Sequence, residues 1–265
     1  METTFEKQGF MKKLKSMLKV DFRRMFTMPL VYIMAGVCFA MPVLILVMTS
    51  FMPSTSVDPI TGGEKTVETF TNVWQAIGSV SGGSAMTMDL TGMCNINLVY
   101  FLIAVFACIF VSEDFRSGYA KNLFTVRAKR IDYCVSKTAA CFVGGTIMIV
   151  AYFVGAMLGG AIAKLPFSAE GFGAGGIVAC MLSKIFIVAI FDAIALTLGV
   201  AAKQRLWISI LGSIAAGALL FTMIPMISPL NSTILNAVMC LAGGALFAAG
   251  LGAVSNLILN KTSLV

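Results

Sequence analysis

The sequence predicts an all-α, polytopic membrane protein with about six transmembrane helices, an N-terminal amphipathic interfacial helix, and both termini on the cytoplasmic side. Three observations carry this expectation. Of the 265 residues, 58% are hydrophobic and only 12% charged, far from the balance of a soluble domain. Several apolar stretches approach or exceed the roughly 20 residues that a spanning helix needs. Basic residues gather in short segments beside those stretches, where they set orientation or meet anionic lipid. The net charge of +7 is therefore read as topological, and nucleic acid is not an expected partner.

Residues 1–29 form the first unit. Between Phe5 and Phe26, the residues Phe10, Leu14, Met17, Leu18, Phe22 and Met25 recur at helical spacing, with Lys12, Lys13, Lys15, Lys19 and Arg23 on much of the remainder. That pattern predicts a helix lying in the membrane interface. Pro29 suits a break before the membrane domain, residues 30–265. The first span, Leu30 to about Met52, starts too late and runs too long for a cleaved signal peptide, so it is expected to be retained.

Residues 53–95 are polar and turn-rich, with Asp58-Pro59 and Thr61-Gly62-Gly63, and predict one long outer loop with a short helix around Trp74. Further spans are expected near Ile96–Ser112, Thr138–Ala163, Ile177–Ala201, Leu206–Ile227 and Thr233–Leu259. Sixteen of the Lys and Arg residues then flank the inner ends, against only Lys65 and Lys164 outside, with Lys184 inside a span. Because positive charge is retained in the cytoplasm, the N-in, C-in arrangement follows.

Several chemistries drop out. No histidine is present, so neither a His-containing zinc site nor a Ser-His-Asp triad can form. The seven cysteines show no metal-ligand spacing, and they read as small residues facing lipid or other helices. No phosphate-cradling Gly-x4-Gly-Lys-Ser/Thr run occurs; Gly62-Gly63-Glu64-Lys65-Thr66 has the wrong spacing. The chain is not expected to be an enzyme or to hold a cofactor or metal.

Two places remain as candidate sites. Asp192 falls near the middle of the fourth span, with Lys184 eight positions earlier on nearly the same helical face. A carboxylate at the bilayer centre costs about 2.5–3.5 kcal/mol and usually faces a cavity or a partner. Asp192 either lines a translocation path or serves as a protonated or hydrogen-bonded structural group. Lys184, nearer the outer surface, is expected to snorkel. An aspartyl protease would need a second apposed carboxylate, which is lacking. An ion-coupled secondary transporter using Asp192 is the alternative function, though no clear inverted repeat accompanies it.

The other place is the inner segment 113–137. It mixes both charge signs with aromatic residues and suits a short membrane-lying helix that offers side chains to a soluble partner. Its order is an acidic pair Glu113-Asp114, Phe115, Arg116, Gly118, Lys121-Asn122, Arg127, and Ser136-Lys137 opening the next span. In this order it resembles the permease subunit of type-2 ATP-binding-cassette (ABC-2) exporters. The six-helix plan, the interfacial helix and the large first outer loop extend the likeness across the chain. The resemblance implies a coupling helix that docks on a separate ATPase subunit, with Glu113, Asp114, Phe115, Arg116, Gly118, Lys121, Asn122 and Arg127 at or near the contact. It implies ATP and Mg bound by that partner, a second permease copy or related chain, and export of an apolar or amphipathic substrate such as a peptide antibiotic or drug. The location implied is a cell membrane, in particular a bacterial plasma membrane.

Overall fold

The computed structural model describes residues 10–51, 55–57, 64–66, 70–78, 95–125, 129–168, 173–221 and 223–261. Almost everything described is helical: α1 (Phe10–Thr27), α2 (Pro29–Ser50), α3 (Val99–Arg116), α4 (Tyr119–Thr125), α5 (Arg130–Ile162), α6 (Ala174–Ala202), α7 (Leu206–Phe221), α8 (Ile224–Ile227) and α9 (Ile234–Lys261). Five helices are long and apolar enough to cross a membrane: α2, α3 with its leading turn from Ile96, α5, α6 and α9. Their outward faces carry large apolar side chains such as Tyr32, Leu44, Met48, Val178, Leu235 and Leu246, the surface that suits a multi-pass membrane protein.

The fifth expected span departs from its expected form. Its first part, α7, has 16 residues, and the run resumes as the single turn α8, where Pro225 occupies the first turn. A proline cannot donate to the preceding turn and clashes with its carbonyl, so a helix restarts at it rather than continuing through it. The third expected span begins earlier than hydropathy places it. Charged residues Arg130, Asp132 and Lys137 already belong to α5; there Lys137 pairs with Asp21 and Asp114 and Arg130 donates to Asn260.

Residues from distant parts of the chain meet at two ends of the bundle. At one end α1, the end of α3, α4, the start of α5 and the end of α9 come together: Arg130 donates to Asn260 Oδ1 at 2.8 Å, and a core of Met17, Val111, Phe115, Ala120, Tyr133, Leu196 and Leu259 fills the space between. At the other end, Trp74 Nε1 donates to the Phe167 carbonyl at 3.2 Å and Asn72 Nδ2 to that of Ser168 at 2.7 Å. These bonds seat a short turn, Val73–Ala76, beneath the end of α5. A small antiparallel pair, Thr55–Val57 with Glu64–Thr66, lies in the connection after α2; most of the expected outer loop 53–95 lies outside the described residues.

Close helix contacts depend on glycine. Gly155 and Gly159 on α5 abut the backbone of α2: a Cβ at Gly155 would overlap the Phe39 carbonyl oxygen, and one at Gly159 would lie 2.8 Å from Val43 Cα. Gly244 on α9 approaches the Phe186 carbonyl of α6 in the same way, whereas Gly243, Gly250 and Gly252 face open space. The first three serve packing.

Candidate functional site

The inner segment 113–137 is three structures rather than one. Residues through Arg116 end α3, Tyr119–Thr125 make the separate helix α4, and Arg130 opens α5. Ser117 closes α3 by donating both its N–H, at 2.9 Å, and its Oγ, at 2.6 Å, to the Glu113 carbonyl. Gly118 then adopts φ +72°, a left-handed conformation that costs glycine little and other residues roughly 1–2 kcal/mol. The chain bends there and Gly118 O accepts from Asn122 N at 3.1 Å, starting α4. Gly118 is thus the joint of the segment.

The expected docking residues separate into two groups. Arg116, Lys121 and Asn122 are exposed, Glu113 is half-buried beside them, and Arg127 lies outside the described residues. Asp114 and Phe115 face inward, behind the exposed Arg116, Lys121 and Asn122. Phe115 joins the inner core. Asp114 is fully buried, because it shares a face of α3 with Phe110 and Val111, one turn earlier and also buried.

Asp114 belongs to a buried ionic cluster that sequence reasoning missed. Arg24 of α1 donates to its Oδ1 at 2.6 Å, Tyr133 OH to its Oδ2 at 2.9 Å, and Lys137 Nζ lies 2.7 Å from Oδ2. Lys137 also lies 3.0 Å from Asp21 of α1, and Ser136 Oγ donates to Asp21. Two acids and two bases therefore balance in charge. Aromatic faces complete the enclosure: Arg24 stacks over Tyr119 at 4.0 Å and Lys137 over Phe110 at 3.9 Å. Partial burial works against the Arg24 charge, but the Asp114 carboxylate outweighs it and raises the Arg24 pKa further above its ordinary value. Desolvating such ions costs several kcal/mol each, so the cluster adds little net stability while making every partner necessary. Its chemical capacity is positional: it ties α1, α3 and α5 together immediately above the root of α4.

The signal for the cluster was present in α1. Asp21 sits in line with Met17 and Met25, both buried, so an acid interrupts the apolar stripe at helical spacing.

Of the second pair of candidate residues, Lys184 is placed differently from expectation. Lys184 does not snorkel. It is fully buried and donates to Asn97 Oδ1 at 2.9 Å and Ser228 Oγ at 3.2 Å, while Tyr100 OH holds the Lys184 carbonyl at 2.8 Å. This cluster joins α6 to the entry of α3 and to the segment after α8. Asp192 is equally buried, and among the described residues neither of its carboxylate oxygens has a hydrogen-bond partner. Phe191, stacked on Tyr100 at 4.8 Å, stands between the two levels.

Among the described residues no group of His, Cys, Asp or Glu side chains is placed to hold a metal ion. The six described cysteines are buried free thiols. No family model, curated protein or solved structure gives a significant match to this chain.

Proposed function

We propose that this chain is the permease subunit of an ABC-2 type ATP-driven exporter, crossing the membrane six times with both termini inside. The observation that supports it best is α4. This short helix stands between two spans at the basic end of the bundle, exposes Lys121 and Asn122 beside Arg116, and is rooted through Ala120 in the inner core. Phe124 packs edge-on against Tyr133 at 5.5 Å, next to the Asp114 cluster. A push on α4 would reach α1, α3 and α5 together.

A separate ATPase subunit, binding ATP and Mg, supplies the stroke, and a second permease copy or related chain completes the path. The sixth crossing is the α7–α8 run. Ser209, near its start, lies close to Gly199 at the inner end of α6, and Ser228, just past its end, reaches Lys184 at the level of Asn97. A groove of about 640 Å³ between α5 and α9, walled by Phe142, Leu241, Gly244, Ala248 and Gly252, offers the apolar surface that an apolar or amphipathic cargo needs.

The test is purification of the tagged full chain from its native membrane under mild solubilisation, followed by identification of co-purifying subunits. An ATPase should accompany the native chain, and Arg116→Glu with Lys121→Glu should lose it at unchanged melting temperature. Reproducible absence of any ATPase from the native preparation, or transport that ignores ATP and collapses with an ion gradient, would reject the proposal.

A further inference from the structure

Buried polar atoms along one internal seam lack a hydrogen-bond partner: both carboxylate oxygens of Asp192, Ser112 Oγ, and Ser209 Oγ, which faces the Cys108 thiol. Their positions are connected. Cys108 and Ser112 are one turn apart on α3, and Ser209 and Ser213 are one turn apart on α7, so each pair shares a face. Cys108 Sγ joins the two helices at 3.1 Å from Ser213 Oγ, and it lies 4.0 Å from the Ala195 carbonyl of α6, one turn from Asp192. At Gly199 a Cβ would be 3.6 Å from Ser209 Oγ and 2.9 Å from Val111 Cγ1, which fixes the lower part of the seam between the same three helices. The line of polar groups therefore descends from Asp192 toward the basic end, where Asp114, Lys203 and Arg205 lie.

The contrast with other hydroxyls is informative. Ser183 and Thr197 on α6 each donate to the carbonyl four residues earlier, at 2.8 Å, the usual way a helical hydroxyl is satisfied in an apolar interior. Ser112 and Ser209 do not. A buried hydroxyl left without a partner costs about 1–3 kcal/mol, and a carboxylate considerably more. Several such groups in one line point to a shared partner that is small, mobile and able to accept and donate.

We propose that this seam takes up water from the basic face, and that Asp192 at its blind end binds and releases a proton through it. In the step, the carboxyl O–H bond breaks and the proton passes to a water held by the Ser213 and Cys108 level, then to water beside Ser209 and Ser112 and out to bulk solvent; the thiol keeps its own proton. The titratable groups that face Asp192 are the thiols of Cys108 on α3 and Cys141 on α5. α7 contains no titratable residue, and the α9 thiol, Cys240, sits instead by Lys184. Toward the opposite end the seam is closed by Phe191, stacked on Tyr100 and packed against Gly217. Access is thus one-sided. The inference stands whether or not the permease reading holds.

Difference infrared spectroscopy of the full chain in lipid nanodiscs tests it. The carboxylic acid C=O band should be present in the native chain, absent in Asp192→Asn, weaken reversibly as pH rises, and shift promptly in D2O. Ser112→Ala with Ser209→Ala should slow that exchange by roughly tenfold, the effect of losing about one hydrogen-bonding partner for water. A band that neither titrates nor exchanges, or one unaffected by Asp192→Asn, would overturn the proposal. A second measurement does not depend on the Asp192 variant folding. With Cys108 as the sole cysteine, a small cationic methanethiosulfonate should label it from the basic side of sealed vesicles and not from the other. Absence of labelling from the basic side, or equal labelling from both sides, would overturn it.

Discussion

Lys137 is the side chain whose loss should be felt most. It is fully buried and lies between Asp21 and Asp114, so Lys137→Met leaves two interior carboxylates without their shared cation. Removing one partner of a buried ion pair costs about 3–5 kcal/mol. We expect a marked fall in melting temperature for the detergent-solubilised chain. Adding Asp21→Asn to Lys137→Met should recover part of the loss, because one of the stranded charges is then gone; purely additive losses would show that the two side chains act independently. How much of this could be read from the sequence differs by residue. Asp192 and Lys184 stand out in the sequence as charges within apolar runs, but the seat of Lys184 on Asn97 and Ser228 was not legible there. The Asp114 cluster was not legible at its centre, since Arg24 and Asp114 are ninety positions apart and nothing local distinguishes the inward Asp114 from its half-buried neighbour Glu113 except helical phase. Its edge was legible, in the acid that interrupts the Met17 and Met25 stripe.

Among the helices, α2 and α5 approach so closely at Gly155 and Gly159 that backbone meets backbone. Gly155→Ala should destabilise the chain by about 1–3 kcal/mol through overpacking, whereas Gly250→Ala, with open space around it, should be close to neutral. Thermal unfolding of the two variants side by side gives the comparison, and equal effects would refute the assignment of Gly155 to packing. The four-residue spacing of Gly155 and Gly159 is a packing motif readable in the sequence, but spacing does not separate Gly244 from Gly243, since only the phase of α9 against Phe186 decides which one meets a neighbour. Helix existence was legible from hydropathy; helix ends were not. The start of α5 is highly charged, and hydropathy cannot register that Asp132 and Lys137 are buried. The break before α8 was open to inference from Pro225, yet the apolar run continues across it and masks the interruption.

Among the described residues, five long apolar helices run between an end rich in Lys and Arg and an end that holds few of them. Composition and flanking charge were sufficient to predict that much, because both are set by the lipid and depend little on which helix touches which. The helix lengths, however, are unequal. Most exceed 20 residues, but α7 has 16, which at 1.5 Å per residue is about 24 Å, against a hydrocarbon core of about 30 Å. On the proposed six-crossing topology, the α8 turn and its proline sit where an ordinary bilayer is still apolar, next to the Ser228 and Lys184 cluster. Thinner membranes relieve that mismatch and thicker ones aggravate it, at fractions of a kcal/mol per Å. Reconstitution in phosphatidylcholines of increasing acyl length should give a melting temperature that peaks in the shorter lipids and falls in the longer ones; a flat profile would show that α7 is shielded from lipid thickness. On that topology, α7 tunes the molecule to the thickness of the membrane around it.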